Sequence, residues 1–300
     1  MPLLRAEAEK LSNNQLEAGV IEEIIEKDEL FALLPFMHVV GKAYVYNREK
    51  TLSEGDFIDV NEDVPEGAAT FDEVISRLAR LAGDVDVDKF LNETMDDSND
   101  QLAIQIASKA KGLGRAFRRT LVNGDRTVNA KAFDGVRVLT AADQTLIAGD
   151  NGGAVALSAL DELLDAVPNG ADAIMMRKGT WRGVRGLLRA FGGNDAVMMQ
   201  LENFGKPVPS YNGTPVILND FLPANEVQGT ANETTSIYAM RLNEADGLHG
   251  IYGGRSAGII VEDIGTVQTR DATRTRLKWY CGLALKSTKS MARLRGITNL

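Results

Sequence analysis

Between Gly41 and Phe71 the chain has the residues of a long β-hairpin or extended loop without the residues of a core for it. Met37 to Tyr46 is rich in β-branched and aromatic residues, and Phe57 to Val60 resumes that character after the turn-like Thr51-Leu52-Ser53-Glu54-Gly55-Asp56. The tip holds few large apolar side chains and many acids, so it has little to bury against its own body. A segment of this kind dangles or lies on another molecule. The shortage is local, because 44% of the 300 residues are hydrophobic. That suffices for one large or two modest domains and excludes disorder of the whole chain.

Charge is spread just as unevenly. Totals of 33 basic and 42 acidic residues give a net charge of -9, which argues against coating of nucleic acid by the overall surface. Residues 1–100 hold 24 of the acids and only 9 of the bases, so the remainder is net basic and the two parts face different surroundings. Cys281 is the sole cysteine, which excludes an intrachain disulfide and a Cys-rich zinc site and points to a reducing cytosol. Met1 to Gly19 lacks the apolar core of a signal peptide, and no apolar run approaches the ~20 residues that span a bilayer. The expectation is a soluble protein with no membrane partner.

From Leu3 to Leu34, apolar residues at near-helical spacing among glutamates predict an acidic amphipathic arm that stops at Pro35. The most informative helix is predicted over 98–121, where Ser98 and Gln101 form an S-x-x-Q capping box. Leu102, Ile106, Ala110, Leu113, Phe117 and Leu121 fall on one face of it, and Lys111, Arg115, Arg118 and Arg119 on the other. Gly112 and Gly114 each weaken it by about 1 kcal/mol relative to Ala and mark where a break would fall. Further on, Ser158 to Val167 reads as a helix, Ala173 to Met176 as a short buried strand, and Thr180 as the cap of a helix through Phe191. Pro215 to Leu218 and Ser236 to Leu242 read as strands. Thr273 to Leu285 reads as a long strand with Arg274, Arg276 and Lys278 on a basic face and Leu277, Trp279 and Cys281 on a buried one.

Motifs that imitate chemistry fail on their context. Gly254-Arg255-Ser256-Ala257-Gly258 matches the nucleophile elbow G-x-S-x-G, yet both histidines, His38 and His249, precede Ser256, and Gly258-Ile259-Ile260-Val261 looks like a strand rather than a helix. Asp84-Val85-Asp86-Val87-Asp88 imitates a calcium loop, but Lys89 and Met95 stand where a Gly and a Glu are needed. An edge strand with a carboxylate face is the better account. Gly112-Leu113-Gly114 lacks the third Gly of a dinucleotide fingerprint, and the two histidines are read as structural. The basic faces at 111–119 and 270–278 suit either phosphates or the acidic first hundred residues of a neighbouring subunit. The second pairing is preferred because the same sequence supplies the acids.

Several segments form a collinear series. They are Met95-Asp96-Asp97-Ser98 opening a helix that ends in Leu121-Val122-Asn123-Gly124-Asp125, then Asp172 to Trp181 before a second helix, then Tyr211-Asn212-Gly213-Thr214-Pro215-Val216 with Leu222-Pro223. The basic strand from Thr273, with Met291 to Leu294, closes it. In this order they resemble the major capsid protein of tailed bacteriophages, whose fold encapsulin shells share. The resemblance covers nearly the whole chain and rests on the series, since no single motif is diagnostic. It implies an α+β tailed-phage major capsid fold. An N-terminal arm would occupy 1–35. A peripheral domain over 36–144 would carry an extended β-hairpin loop at 41–71, lying over the adjacent subunit, and a long spine helix at 98–121. An axial α/β domain would occupy 145–255, with a return to the peripheral domain over 256–300.

The function so implied is assembly: a structural protein whose copies close an icosahedral shell around a phage genome as hexameric and pentameric capsomers. Subunit contacts are expected at Tyr44, Tyr46, Arg48 and Phe57 of the loop, Arg115 and Arg119 of the helix, and Arg274 and Arg276 of the closing strand. The expected partners are the chain itself, with scaffold, portal and decoration proteins and non-specifically packaged DNA beside it, in a virion capsid assembled in the host cytoplasm. No cofactor, metal or catalytic residue is expected. The alternatives are an encapsulin-type compartment around protein cargo and a serine hydrolase using Ser256. The crosslinking lysines of some family members could be Lys42 or Lys50, but no partner Asn and Glu align near the C-terminus.

Overall fold

The computed structural model describes residues 33–51, 66–89, 101–190, 207–254 and 256–300, together with Leu30, 56–58, Asp63 and 198–200. The expected arm before Leu30, the cap at Ser98, the turn at Leu52 to Gly55 and the helix end at Phe191 lie outside these residues.

One strand organises the first sheet. Five strands make it up: β1 (Phe36–His38), β4 (Ala79–Asp88), β12 (Leu248–Tyr252), β13 (Ile260–Thr266) and β14 (Ala272–Leu285). β14 pairs antiparallel with β4 from Ala272 to Cys281, and on its other side first with β13 and then with β12. β1 adds parallel to β12. Between β1 and β4 the chain leaves this sheet as a two-stranded ribbon, β2 (Ala43–Thr51) with β3 (Thr70–Arg77). The return strand therefore reaches Arg77, beyond the expected limit at Phe71.

The second sheet has the order β5 (Thr145–Ile147), β15 (Met291–Ile297), β11 (Ala231–Met240), β6 (Ala173–Met176), β9 (Thr214–Leu218), β8 (Pro207–Tyr211) and β7 (Met198–Gln200), with β10 (Glu226–Gln228) on β11. All four residues of β6 are buried, as a strand covered on both faces requires. Ala173, Met175, Tyr238 and Met240 face one core with helix α1 (Gln101–Asn123). Ile174, Met176, Ile237 and Ala239 face a second core with α3 (Leu157–Asp165) and α4 (Lys178–Ala190), while α2 (Val136–Leu139) follows α1. Asn212 and Gly213, both at positive φ, form the two-residue turn between β8 and β9.

α1 runs unbroken through Gly112 and Gly114 because its stripe is locked in place. Ile106, Ala110, Leu113, Phe117 and Leu121 are buried, and that packing outweighs two glycine penalties. Phe117 is fully enclosed, its ring 4.5 Å from Trp279 of β14, 5.4 Å from Phe133 and 6.3 Å from Phe36 of β1. The helix stops at Gly124, whose N–H donates to the Thr120 carbonyl. A Cβ there would come within 2.3 Å of the Phe133 carbonyl oxygen, so the turn admits only glycine.

Two expectations are corrected. Thr180 does not cap α4, which begins at Lys178; its hydroxyl instead donates to the Asn299 carbonyl at 2.7 Å, so the end of the chain packs on the first turn of the helix. The expected boundary between residues 255 and 256 also fails to follow the strand pairing. β12 belongs to the first sheet, and Met291 to Leu294, expected to close the peripheral domain, lies in the second as part of β15. Met291, Ala292, Leu294 and Ile297 are buried, and the second sheet is where β15 finds apolar neighbours on both faces.

Replacing Phe117 by Ala should lower the unfolding free energy by about 3–5 kcal/mol, whereas Arg119→Ala on the exposed face should stay within about 0.5 kcal/mol. Equilibrium denaturation followed by Trp fluorescence reads both.

Candidate assembly surface

Alternation along β2 puts Tyr44, Tyr46 and Arg48 on one face of the ribbon, and that face is turned to the body of its own chain. The Tyr46 hydroxyl donates to the Leu285 carbonyl at 2.6 Å, and Arg48 donates from Nε to the Lys286 carbonyl and from Nη2 to the Leu285 carbonyl, both at 2.7 Å. Tyr44 packs against Tyr46, ring centroids 5.2 Å apart, and edge-on against the buried His249 at 6.0 Å. The Lys286 ammonium lies 5.8 Å from the Tyr44 ring centroid. These three side chains were expected at another subunit. Within the chain they root the ribbon: the carbonyls where β14 ends accept the donors of Tyr46 and Arg48, and Tyr44 packs beside them through its ring.

The opposite face has no such cover. Val45 and Ile75 sit opposite each other in the ladder and are about half exposed, and Phe71 is 63% exposed. At the tip Phe57 is fully exposed, with Asp56, Asp63 and Glu66 exposed around it. A ribbon that leaves Val45, Phe71 and Ile75 exposed among polar neighbours on its outer face, and Phe57 exposed among acids further along the chain, is the kind of surface that seeks a partner.

On the first sheet the carboxylate strand meets the basic strand. Val85 and Val87 are buried, and Asp84 and Asp86 point the other way, in register with Arg276 and Arg274. Arg274 forks onto Asp86 through two bonds of 2.7 Å, and Arg276 onto Asp84 through bonds of 2.7 and 2.9 Å. Lys278 continues the row onto Glu262 of β13. The Arg276 fork holds the Asp84 carboxyl below its ordinary value of 3.8, and the Arg274 fork does the same for Asp86. Arg274 and Arg276 were expected to meet acids of a neighbouring subunit; within the chain they meet those of their own β4. This pairing also accounts for two carboxylates of the calcium-like repeat. On α1, Arg115 and Arg119 are exposed as expected.

Other candidates take structural places. Ser256 lies between β12 and β13, and its hydroxyl accepts the Gly258 N–H at 3.2 Å; a strand comes next, where a nucleophile elbow needs a helix. His249 is enclosed, with Nδ1 3.3 Å from the Gly247 carbonyl, and burial holds its pKa down. Burial likewise pushes the Cys281 thiol up, away from reactivity. Sequence reasoning missed one polar cluster. Arg293 donates to Glu226 and to the Ser236 hydroxyl, each at 2.9 Å, and stacks over Tyr238 at 5.7 Å, while burial pushes the Tyr238 phenol up to about 12. Its members come from β10, β11 and β15, so no local motif signals it.

No family model and no curated protein matches the chain. Solved structures do. It is similar to the holo-SrpI encapsulin complex from Synechococcus elongatus PCC 7942, with TM-score 0.71 and 21% identity over 89% of this chain and 86% of that one. It is similar to the capsid of an empty GTA particle, with TM-score 0.68 and 17% identity over 90% of each chain. It is also similar to a Mycobacterium phage Bobi structure, with TM-score 0.63 and 13% identity over 88% of this chain and 89% of that one. The chain has the tailed-phage capsid fold. In this capsid fold α1 is the spine helix and the β2–β3 ribbon is the extended loop.

The ion-pair row makes stability depend on acid. Both aspartates have folded-state values below their unfolded ones, so their contribution is complete above the ordinary 3.8 and is lost as pH falls below it. Thermal melts of Arg274→Met/Arg276→Met should therefore lose less of their midpoint between about pH 5 and pH 2 than wild type does. Parallel curves would show that the row carries no linkage.

Proposed function

We infer that this chain is the structural subunit of a closed icosahedral shell, a capsid protein that works by assembly and not by catalysis. The observation that supports this most directly is the rooted ribbon, which spends its inner face on its own chain and leaves Val45, Phe71, Ile75 and Phe57 uncovered. One contact repeated around local axes closes a shell from identical copies, and swapped ribbons give large interfaces from few core residues. In the preferred reading the contents are a phage genome, held non-specifically, in a virion capsid formed in the host cytoplasm with portal, decoration and scaffold proteins as further partners.

A second reading, an encapsulin-type compartment around protein cargo, is favoured by the likeness to the SrpI encapsulin. Negative-stain microscopy of the purified protein tests both: closed particles are expected, and monomers or open sheets would count against either. Nuclease-protected DNA in the particles selects the genome reading, and a stoichiometric co-purifying protein selects the compartment. Deleting Leu52 to Asp63 and bridging with glycines spares Tyr46 and Arg48, and should leave a folded subunit that no longer closes particles. Normal shells from that deletion would remove the ribbon from the assembly mechanism.

A further inference from the structure

The ion-pair row on the first sheet stops short of the ribbon. Arg274, Arg276 and Lys278 of β14 each have a carboxylate, but one step further the register sets Arg80 of β4 opposite Tyr280. Here lies a groove of about 670 Å³ lined by Lys42, Arg77, Arg80, Arg126 and Lys131 and by no carboxylate. Arg126 is held by Asp134, which is not part of the lining, at 4.0 Å. The other four cations are exposed and have no ion-pair partner among the described residues. They come from the junctions of β1 with β2 and of β3 with β4 and from the stretch after α1, so no local motif announces them. Like charges gathered without a counter-charge repel one another, and a bound anion relieves that repulsion.

The rest of the lining is of a different kind. Leu78 and Tyr280 belong to it, and so does Val40, which is 88% exposed. Gly254 sits beside the Tyr280 ring, where an added Cβ would lie 3.6 Å from Cδ2, and puts no side chain over it. The Lys278 ammonium, held by Glu262, lies 5.8 Å from the ring centroid. An occupant must therefore bring concentrated negative charge and a flat apolar group together.

We propose that this groove binds a nucleoside polyphosphate, its phosphates on the four unpaired cations and its base against Tyr280 and Leu78. Three of the five basic residues are arginines, whose planar fork takes two phosphate oxygens at once. A base offers the π-face on which an aromatic ring stacks. The volume falls within the range of about 300–1,000 Å³ usual for small-molecule sites. Two other occupants fit less well. An acidic peptide spaces its carboxylates along a chain, whereas linked phosphates concentrate charge where the cations converge. A nucleic-acid strand extends past the groove over a chain of net charge -9, and a nucleotide does not. The proposal goes beyond the shell reading and does not rest on it.

Fluorescence anisotropy of ATP carrying an N-methylanthraniloyl label on its ribose, titrated with the full-length chain, tests it. Saturable binding is expected, displaced by unlabelled ATP and weakened by salt. Arg80→Glu/Lys131→Glu should weaken it at least about tenfold, since each loses a charge-assisted contact. Arg182→Glu/Arg189→Glu, an equal change of net charge on the exposed face of α4, should leave it within about twofold. Inorganic tripolyphosphate, which has no base to stack, should compete about tenfold less well than ATP. No saturable binding, an equal loss from the α4 pair, or tripolyphosphate competing as well as ATP overturns the proposal. So does a single-stranded oligonucleotide that binds the groove more tightly than ATP. Circular dichroism melts check that the variants fold; if the groove reversal does not, Arg80→Gln/Lys131→Gln removes the same contacts and is read in its place. Particle formation by wild type decides the shell reading separately, whichever way the titration falls.

Discussion

The architecture depends on β14, a fourteen-residue strand that presents two chemically opposite faces as far as Lys278 and is buried on both beyond Cys281. One face carries Leu277, Trp279, Cys281 and Leu283 into the core against the spine helix; the other carries Arg274, Arg276 and Lys278 into a row of carboxylates. A one-residue slip of β4 against β14 would bury the aspartates and expose the valines. The ion-pair row and the core therefore enforce the same register from opposite sides. Exposed ion pairs add little stability on their own. Their value here is that the wrong alignment would put like with unlike.

The ribbon divides its labour in a similar way. Its inner face makes hydrogen bonds to backbone carbonyls, and on its outer face Val45, Phe71 and Ile75 stay exposed. Anchoring to carbonyls holds the root without using the side chains of the outer face.

Much of the fold was legible because its longest elements are strongly periodic. The stripe from Ile106 to Leu121 and the alternation from Thr273 to Leu285 appear where expected, and Ala173 to Met176 is the buried strand its composition announced. Non-local pairing was not legible. Arg274 meets Asp86 across 188 positions, and Tyr46 meets Leu285 across 239; a backbone carbonyl leaves no trace in the side-chain pattern. Thr180 misled because a hydroxyl near a helix start reads as a cap unless the distant Asn299 is known to claim it. The exchange of β12 and β15 between sheets was hidden for the same reason, since sheet membership is decided by partners far along the chain.

That exchange has a mechanical consequence. The chain crosses from the second sheet at β11 to the first at β12, stays there through β14, and returns to the second at β15. The strand holding the ribbon is thus covalently tied into the second sheet through β15, and hydrogen-bonded on both flanks along most of its length. A pull on the ribbon directed along β14 loads those bonds together, in shear, and they cannot open one at a time. Such a load would be shared across both sheets before any single strand could peel.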